Sequence, residues 1–182
     1  GILAWPSYHQ TKRLAKRGSF RSVLFMGIVR VLVDGYSLLH HWPELAPGRK
    51  RHSFHARDAL VAVLTQYQDS SSTPVTVIFD GGGAPPDTPK NETTPGGIEV
   101  LFSKKGQTAD QIIERVAYLM KPYGEVLAVT NDYAERETVI SLGGSACSCE
   151  NFIRMIHDEI ERIQNGLKEF NQRERKDFRG PR

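Results

Sequence analysis

From Ile28 onward, short apolar runs alternate with stretches of helical period, and that alternation constrains the fold more than any other feature of the chain. The runs "IVRVLVD", "VTVIFD", "IEVLFS", "EVLAVT" and "SACS" read as five strands. Between the first two, "SFHARDALVAVLTQYQ" predicts a helix with Ser53 as N-cap and Ala59, Leu60, Val63, Leu64 and Tyr67 on its apolar stripe. Thr108 is expected to cap a second helix, with Ile112, Ile113, Val116, Leu119 and Met120 inward until "KPYG" stops it. "DYAERETVISLGG" predicts a short helix ended by glycines, and a long one follows from about Glu150 with Phe152, Ile153, Ile156, Ile160 and Ile163 inward. Strands alternating with helices pair in parallel through right-handed crossovers, so the expected class is α/β, an open sheet with helices on both faces.

Ligands of such sheets collect at the carboxyl ends of the strands. Asp34 ends the most apolar run, Asp80 closes "VTVIFD", and Asp132 follows "VLAVT", so all three are expected on that rim. Asp110 opens the Thr108-capped helix, and Glu114, four residues on, projects from the same helical face. Taken singly, Asp110 suits the positive end of a helix and Asp132 suits an N-cap. Taken together, carboxylates crowded on one rim repel one another unless a cation neutralises them. All-oxygen donors, with no cysteine or histidine pair nearby, point to Mg2+ or Mn2+. The chemistry that such a site does best is phosphoryl transfer.

The chain of 182 residues fits one domain, and at this size roughly 70% of the unfolded surface is buried, enough for a core without a metal or disulfide staple. No apolar run approaches the roughly 18 residues that would span a bilayer, and the N-terminus shows no signal-type apolar segment, so a soluble, cytoplasmic protein without a membrane partner is expected. The two cysteines, Cys147 and Cys149, read as partly buried thiols. Charge is uneven: residues 1–30 carry six basic and no acidic side chains, residues 31–159 carry 11 basic and 17 acidic, and residues 160–182 carry 7 basic and 4 acidic. Basic ends flanking an acidic body suit an anionic polymer held by the ends. The expected organisation is a basic extension over residues 1–27, read as sequence upstream of Met26 or as an Arg-rich arm, a domain over 28–165, and a basic tail over 166–182. Residues 81–97, "GGGAPPDTPKNETTPGG", read as one long connection leaving from Asp80, either a mobile flap over the site or a plain permissive loop.

The segments "VLVDGYSLLHHWPEL", "ARDALVAVLTQYQ", "VTVIFDG", "GIEVLFSKKGQTADQIIERV" and "VLAVTNDYAERETVISLGGSACSCENF" together resemble, over about residues 29–155, the YacP-like branch of the NYN ribonucleases, relatives of the PIN-domain nucleases. The resemblance implies a PIN-like, five-stranded parallel sheet of order 3-2-1-4-5 ending in a long helix, with a divalent-metal site where the strand ends converge. It also implies endoribonuclease action on single-stranded RNA, in some members on mRNA at the ribosome. Carried over by motif, Asp34, Asp80, Asp110 and Asp132 become catalytic metal and water ligands, with Glu114 as an accessory ligand. One position departs: the first motif of the family usually runs aspartate, glycine, tyrosine, asparagine, and here the fourth residue is Ser37. A hydroxyl can orient a water or touch a phosphate but reaches less far than an amide. Ser37 is therefore the residue on which an active enzyme and an RNA- or ribosome-binding module with a weakened site part company. For contacts with the RNA backbone, Arg57 near the start of its helix and Lys104 and Lys105 after the third strand are the expected residues. A small-molecule phosphohydrolase is the weaker alternative, because no glycine-rich phosphate cradle is present.

Overall fold

The computed structural model describes residues 27–81, 91–93 and 97–177, so the basic N-terminal extension and the last five residues lie outside it. β1 (Ile28–Asp34) runs into α1 (Gly35–His41) and a short 3-10 turn at Pro43–Leu45, then α2 (Phe54–Ser71). β2 (Val75–Phe79), β3 (Asn91–Thr93) and β4 (Glu99–Phe102) lead to α3 (Ala109–Met120). β5 (Glu125–Val129), α4 (Tyr133–Ser141), β6 (Ser145–Cys147) and α5 (Cys149–Asp177) complete the chain.

The sheet order is β3-β4-β2-β1-β5-β6. Its five parallel strands thus lie in the order third, second, first, fourth, fifth, as the family resemblance implied. The sixth, β3, pairs antiparallel with β4 at the edge, with Asn91 opposite Leu101. It falls inside the stretch expected to be a flap or loop without secondary structure, so the chain returns to the sheet before β4 begins.

Residue parity explains why the strands read as unbroken apolar runs, since a strand covered on both faces has no polar side. Val31, Val33, Val77, Phe79, Leu127 and Val129 enter one core with α1, α2 and α5, while Leu32, Ile78, Val126 and Ala128 enter a second with α3 and α4. Two expectations about helix faces are corrected. Leu119 is exposed on α3, where Ala117 takes the inward place, and Ile163 is exposed because α5 has left the body by then. From Glu161 to Arg175 every residue of α5 is exposed, so much of the stretch expected as a basic tail continues a helix that projects past the sheet.

The glycines after Asp34 and Asp80 answer why strands end in Asp-Gly. A Cβ on Gly35 would lie 2.3 Å from the Phe79 ring, and one on Gly81 would lie 1.7 Å from the Ser103 carbonyl oxygen. The chain must pass its neighbour at these points with no side chain in between. Gly35→Ala should therefore cost about 1–3 kcal/mol through forced displacement of Phe79, read as a melting temperature lowered by several degrees. An unchanged melting temperature would show that this contact relaxes freely.

Candidate active site

Three carboxylates converge above the carboxyl end of β1: one oxygen each from Asp34, Asp110 and Glu135 lie within 4.8 Å of one another. Each is delivered by a helix start. Asp34 ends β1 and caps α1, its Oδ1 accepting from the Ser37 N–H at 3.0 Å. Asp110 sits in the first turn of α3, whose start is fixed by a reciprocal Thr108–Gln111 capping box. The start of α3 is also held to the sheet through Asp80, whose Oδ1 accepts from the Ala109 N–H at 2.8 Å and the Ser103 hydroxyl at 3.2 Å. Glu135 sits in the first turn of α4.

Sequence reasoning passed over Glu135. "DYAE" has the spacing of a capping box, in which the glutamate would turn back to the N-cap amide. Here the Asp132 N–H is taken by the Thr130 hydroxyl at 3.1 Å, while Asp132 accepts from the Ala134 and Glu135 amides at 2.8 and 3.1 Å. The glutamate is released from capping and points inward, 2% exposed, with both oxygens buried beside the Thr130 hydroxyl and the Asp110 carboxyl. A buried carboxylate crowded by others is costly to ionise unless something positive reaches it.

The remaining expected residues divide by position. Asp80 and Asp132 are exposed on the same rim, close enough that both their charges act on Asp110. Glu114, one turn further along α3, is not among the three that converge. The Ser37 hydroxyl lies 3.5 Å from Cys149 Sγ, at the start of α5. His41 and Asn131 tie this corner together: His41 Nδ1 donates to the Ser37 carbonyl at 2.8 Å and Nε2 accepts from the Asn131 amide at 2.9 Å, while the Asn131 carbonyl accepts from the Cys149 N–H at 2.8 Å. Trp42 is buried with its ring edge-on to His157, a packed corner rather than a free stacking surface. Lys104 and Lys105 are exposed after β4, and Arg57 is buried beside Tyr36 and Phe102.

Electrostatics follow from burial first and mutual repulsion second. Burial pushes the Asp34 carboxyl up to about 6, and the charges of Asp110 and Asp80 act in the same direction against the Ser37 amide. Burial likewise raises Asp110. Glu135 is pushed up to about 8 by burial, with Asp110 and Asp34 adding to the rise against the nearby Thr130 hydroxyl. The two thiols are free and inert, Cys147 raised to about 12 and Cys149 to about 11, mainly by burial.

A hard divalent cation fits these residues. Oxygens each about 2.0–2.6 Å from one ion lie no more than about 4–5 Å apart, which matches the spread of the three carboxylates, and a cation supplies the positive charge that offsets their mutual repulsion. No helix among the described residues is long and apolar enough to cross a membrane.

Comparison with known proteins agrees with this geometry. Residues 31–180 match the family model described as YacP-like NYN domain. The Bacillus subtilis (strain 168) protein called uncharacterized protein YacP is 27% identical over 139 residues, 76% of this chain and 81% of that protein. The crystal structure of Rae1 (YacP) from Bacillus subtilis superposes with a TM-score of 0.66 at 25% identity, covering 81% of this chain and 84% of that one. A mutant form of the same protein gives 0.64 at 26% identity, covering 78% and 82%. With the model matched over most of its length and the carboxylates converging where the sheet places them, the chain belongs to the YacP-like NYN domain family, a branch of the PIN-like nucleases.

Proposed function

We propose that this protein is a divalent-metal-dependent endoribonuclease that hydrolyses phosphodiester bonds of single-stranded RNA, with mRNA at the ribosome as the setting that its family suggests. The observation that carries this reading is Glu135: a buried carboxylate aimed at two others on the rim where α/β sheets bind ligands. Asp34, Asp110 and Glu135 would hold Mg2+ or Mn2+, which supplies Lewis acidity and makes water a competent nucleophile near neutral pH. Asp80 and Asp132, exposed beside them, would orient water at the edge of the cluster and accept its proton. Lys104 and Lys105 offer positive charge to the RNA backbone outside the acidic rim.

The test is cleavage of an end-labelled single-stranded RNA by the purified protein, with magnesium or manganese and with chelator. Metal-dependent internal products are expected. No cleavage in either metal, with RNA binding retained, would establish the second reading, an RNA-binding module with a lost site. Ser37 is the observation that favours that alternative. An amide there could donate to a phosphate and accept from water at once, so Ser37→Asn should raise the single-turnover cleavage rate about tenfold with little change in RNA affinity, the pattern of an interaction made only in the transition state. Equal rates for wild type, Ser37→Ala and Ser37→Asn would remove position 37 from the mechanism.

A further inference from the structure

The carboxylate cluster lies on the α3 and α4 side of β1, and the opposite side of the same rim holds a second unusual charge. Arg57 occupies a core position of α2, beside Ala56 and one turn before Leu60, yet it is an arginine only 6% exposed. Among the described residues no carboxylate comes within ion-pairing distance of it. Its contacts are the Tyr36 hydroxyl at 3.5 Å and the Phe102 ring, whose centroid lies 5.6 Å from the guanidinium carbon. Arg30, the other deeply placed arginine, shows what a structural one looks like here: it donates to Thr76 at 2.7 Å and pairs with Glu99 at 3.4 Å. A guanidinium withdrawn from water without a counter-charge is costly, and an anion that binds there recovers the cost.

The surroundings indicate which anion. Tyr36 follows Asp34 by two residues, Phe79 directly precedes Asp80, and Phe102 directly precedes Ser103, which donates to Asp80. The wall around Arg57 is thus continuous with the carboxylate rim through three strand ends. It is aromatic: Phe79 stacks on Phe102 at 5.6 Å between centroids, Tyr36 tilts against Phe79 at 5.0 Å, and the exposed His52 ring packs on Tyr36 at 4.3 Å. A cation beside an exposed ring is how single-stranded nucleic acid is gripped, phosphate on the one and base on the other. Lys104 and Lys105, exposed just past Phe102, extend the positive path.

We infer that Arg57 and the Tyr36 hydroxyl form a subsite for the phosphate adjoining the scissile one, with the neighbouring base on the His52 ring. This deepens the ribonuclease reading and rests on it for the word scissile alone. The subsite takes a polynucleotide strand, because base and phosphate are held together.

The experiment measures binding of a single-stranded RNA eight-mer to the full chain in chelator, by fluorescence anisotropy over a salt series, with thermal unfolding alongside. Arg57→Met should weaken binding about tenfold and flatten the dependence of log K on log salt by about 0.7, the share of one phosphate contact on a single strand. Its melting temperature should hold or rise, because a buried charge with no carboxylate partner among the described residues has been replaced by an apolar stem. His52 is exposed, so His52→Ala leaves the fold intact; it should weaken binding about fivefold and leave the salt slope unchanged. Inorganic phosphate at millimolar concentration should not displace the eight-mer, and displacement would mark a free-anion pocket and overturn the inference. Wild-type affinity and slope in both variants would overturn it as well and make Arg57 a packing partner of Phe102. The two readings fail separately. Binding through Arg57 without cleavage in magnesium or manganese removes the nuclease and keeps the subsite, whereas cleavage and binding indifferent to Arg57→Met remove the subsite and keep the nuclease.

Discussion

Asp34→Asn is expected to lower magnesium-dependent RNA cleavage about 100- to 1,000-fold, the scale of losing one preorganised electrostatic partner, while the metal-free protein melts at the same temperature or higher. The two halves have different causes. Activity falls because one of three converging charges is gone. Stability holds because Asp34 also caps α1 through the Ser37 amide at 3.0 Å, and asparagine caps as well as aspartate. What asparagine does remove is a buried charge pressed by Asp110 and Asp80. Asp34→Ala separates the roles, since it should lose activity equally and in addition about 1 kcal/mol of cap. Single-turnover cleavage with thermal unfolding in chelator measures both. Magnesium should raise the melting temperature of the wild type more than that of either variant, because a ligand bound only by the folded state stabilises it by mass action. A fall of several degrees for Asp34→Asn without metal would show that the negative charge is itself structural.

The metal-free protein should lose stability as pH rises from about 5 to about 8.5, the reverse of ordinary acid denaturation. Glu135 keeps its proton in the folded state up to about 8, against an ordinary 4.5, so folding takes up a proton between those values. The resulting stabilisation is complete below 4.5 and is lost as pH climbs through about 8. Asp34, raised from 3.8 to about 6, adds a loss of the same sign at lower pH. A few kcal/mol is at stake, or about 5–10 °C at roughly 2–4 °C per kcal/mol for a chain of this size. Glu135→Gln removes the titrating group and should flatten the profile above pH 6, so the difference between the two proteins isolates this carboxylate from background charge. The stabilisation by magnesium should grow over the same interval, since the ion competes with protons for the carboxylates. Melting curves across pH, with magnesium and with chelator, check all three statements. A wild-type profile parallel to that of Glu135→Gln would mean that Glu135 is ionised throughout.

The parts of the fold legible in the sequence are those written in repeating patterns. Ser53 and Thr108 announce their helices, and Val31 to Val33 read as strand because both faces of β1 are buried. β3 is "NET", three polar residues at an edge where pairing depends on a neighbour and not on apolar alternation, so nothing local marks it. α1 was hidden for a related reason, as seven residues around Gly35 and two histidines carry too little period to stand out. At the site, Asp34, Asp80, Asp110 and Asp132 were visible because strand ends and caps are one-dimensional features. Glu135 was not, because its role depends on Thr130, five residues earlier, having already satisfied the amide that Glu135 would otherwise serve. The projecting half of α5 was read as tail, since an exposed helix and a solvated coil share the same polar composition.

The double duty of Asp34 and Asp132 as helix caps bears on how such a protein would lose its activity over generations. Aspartate and asparagine codons differ by a single base. At either position that one change leaves the cap in place and removes the charge, so selection for a folded, abundant chain gives no protection against it. If the chain is the ribonuclease proposed above, with both residues in its site, only selection for cutting RNA does. Substitution to any non-capping residue is opposed by both pressures. In a lineage released from the need to cut, asparagine should therefore be the first residue to spread at positions 34 and 132, and its presence there would identify a descendant that still folds but no longer cleaves.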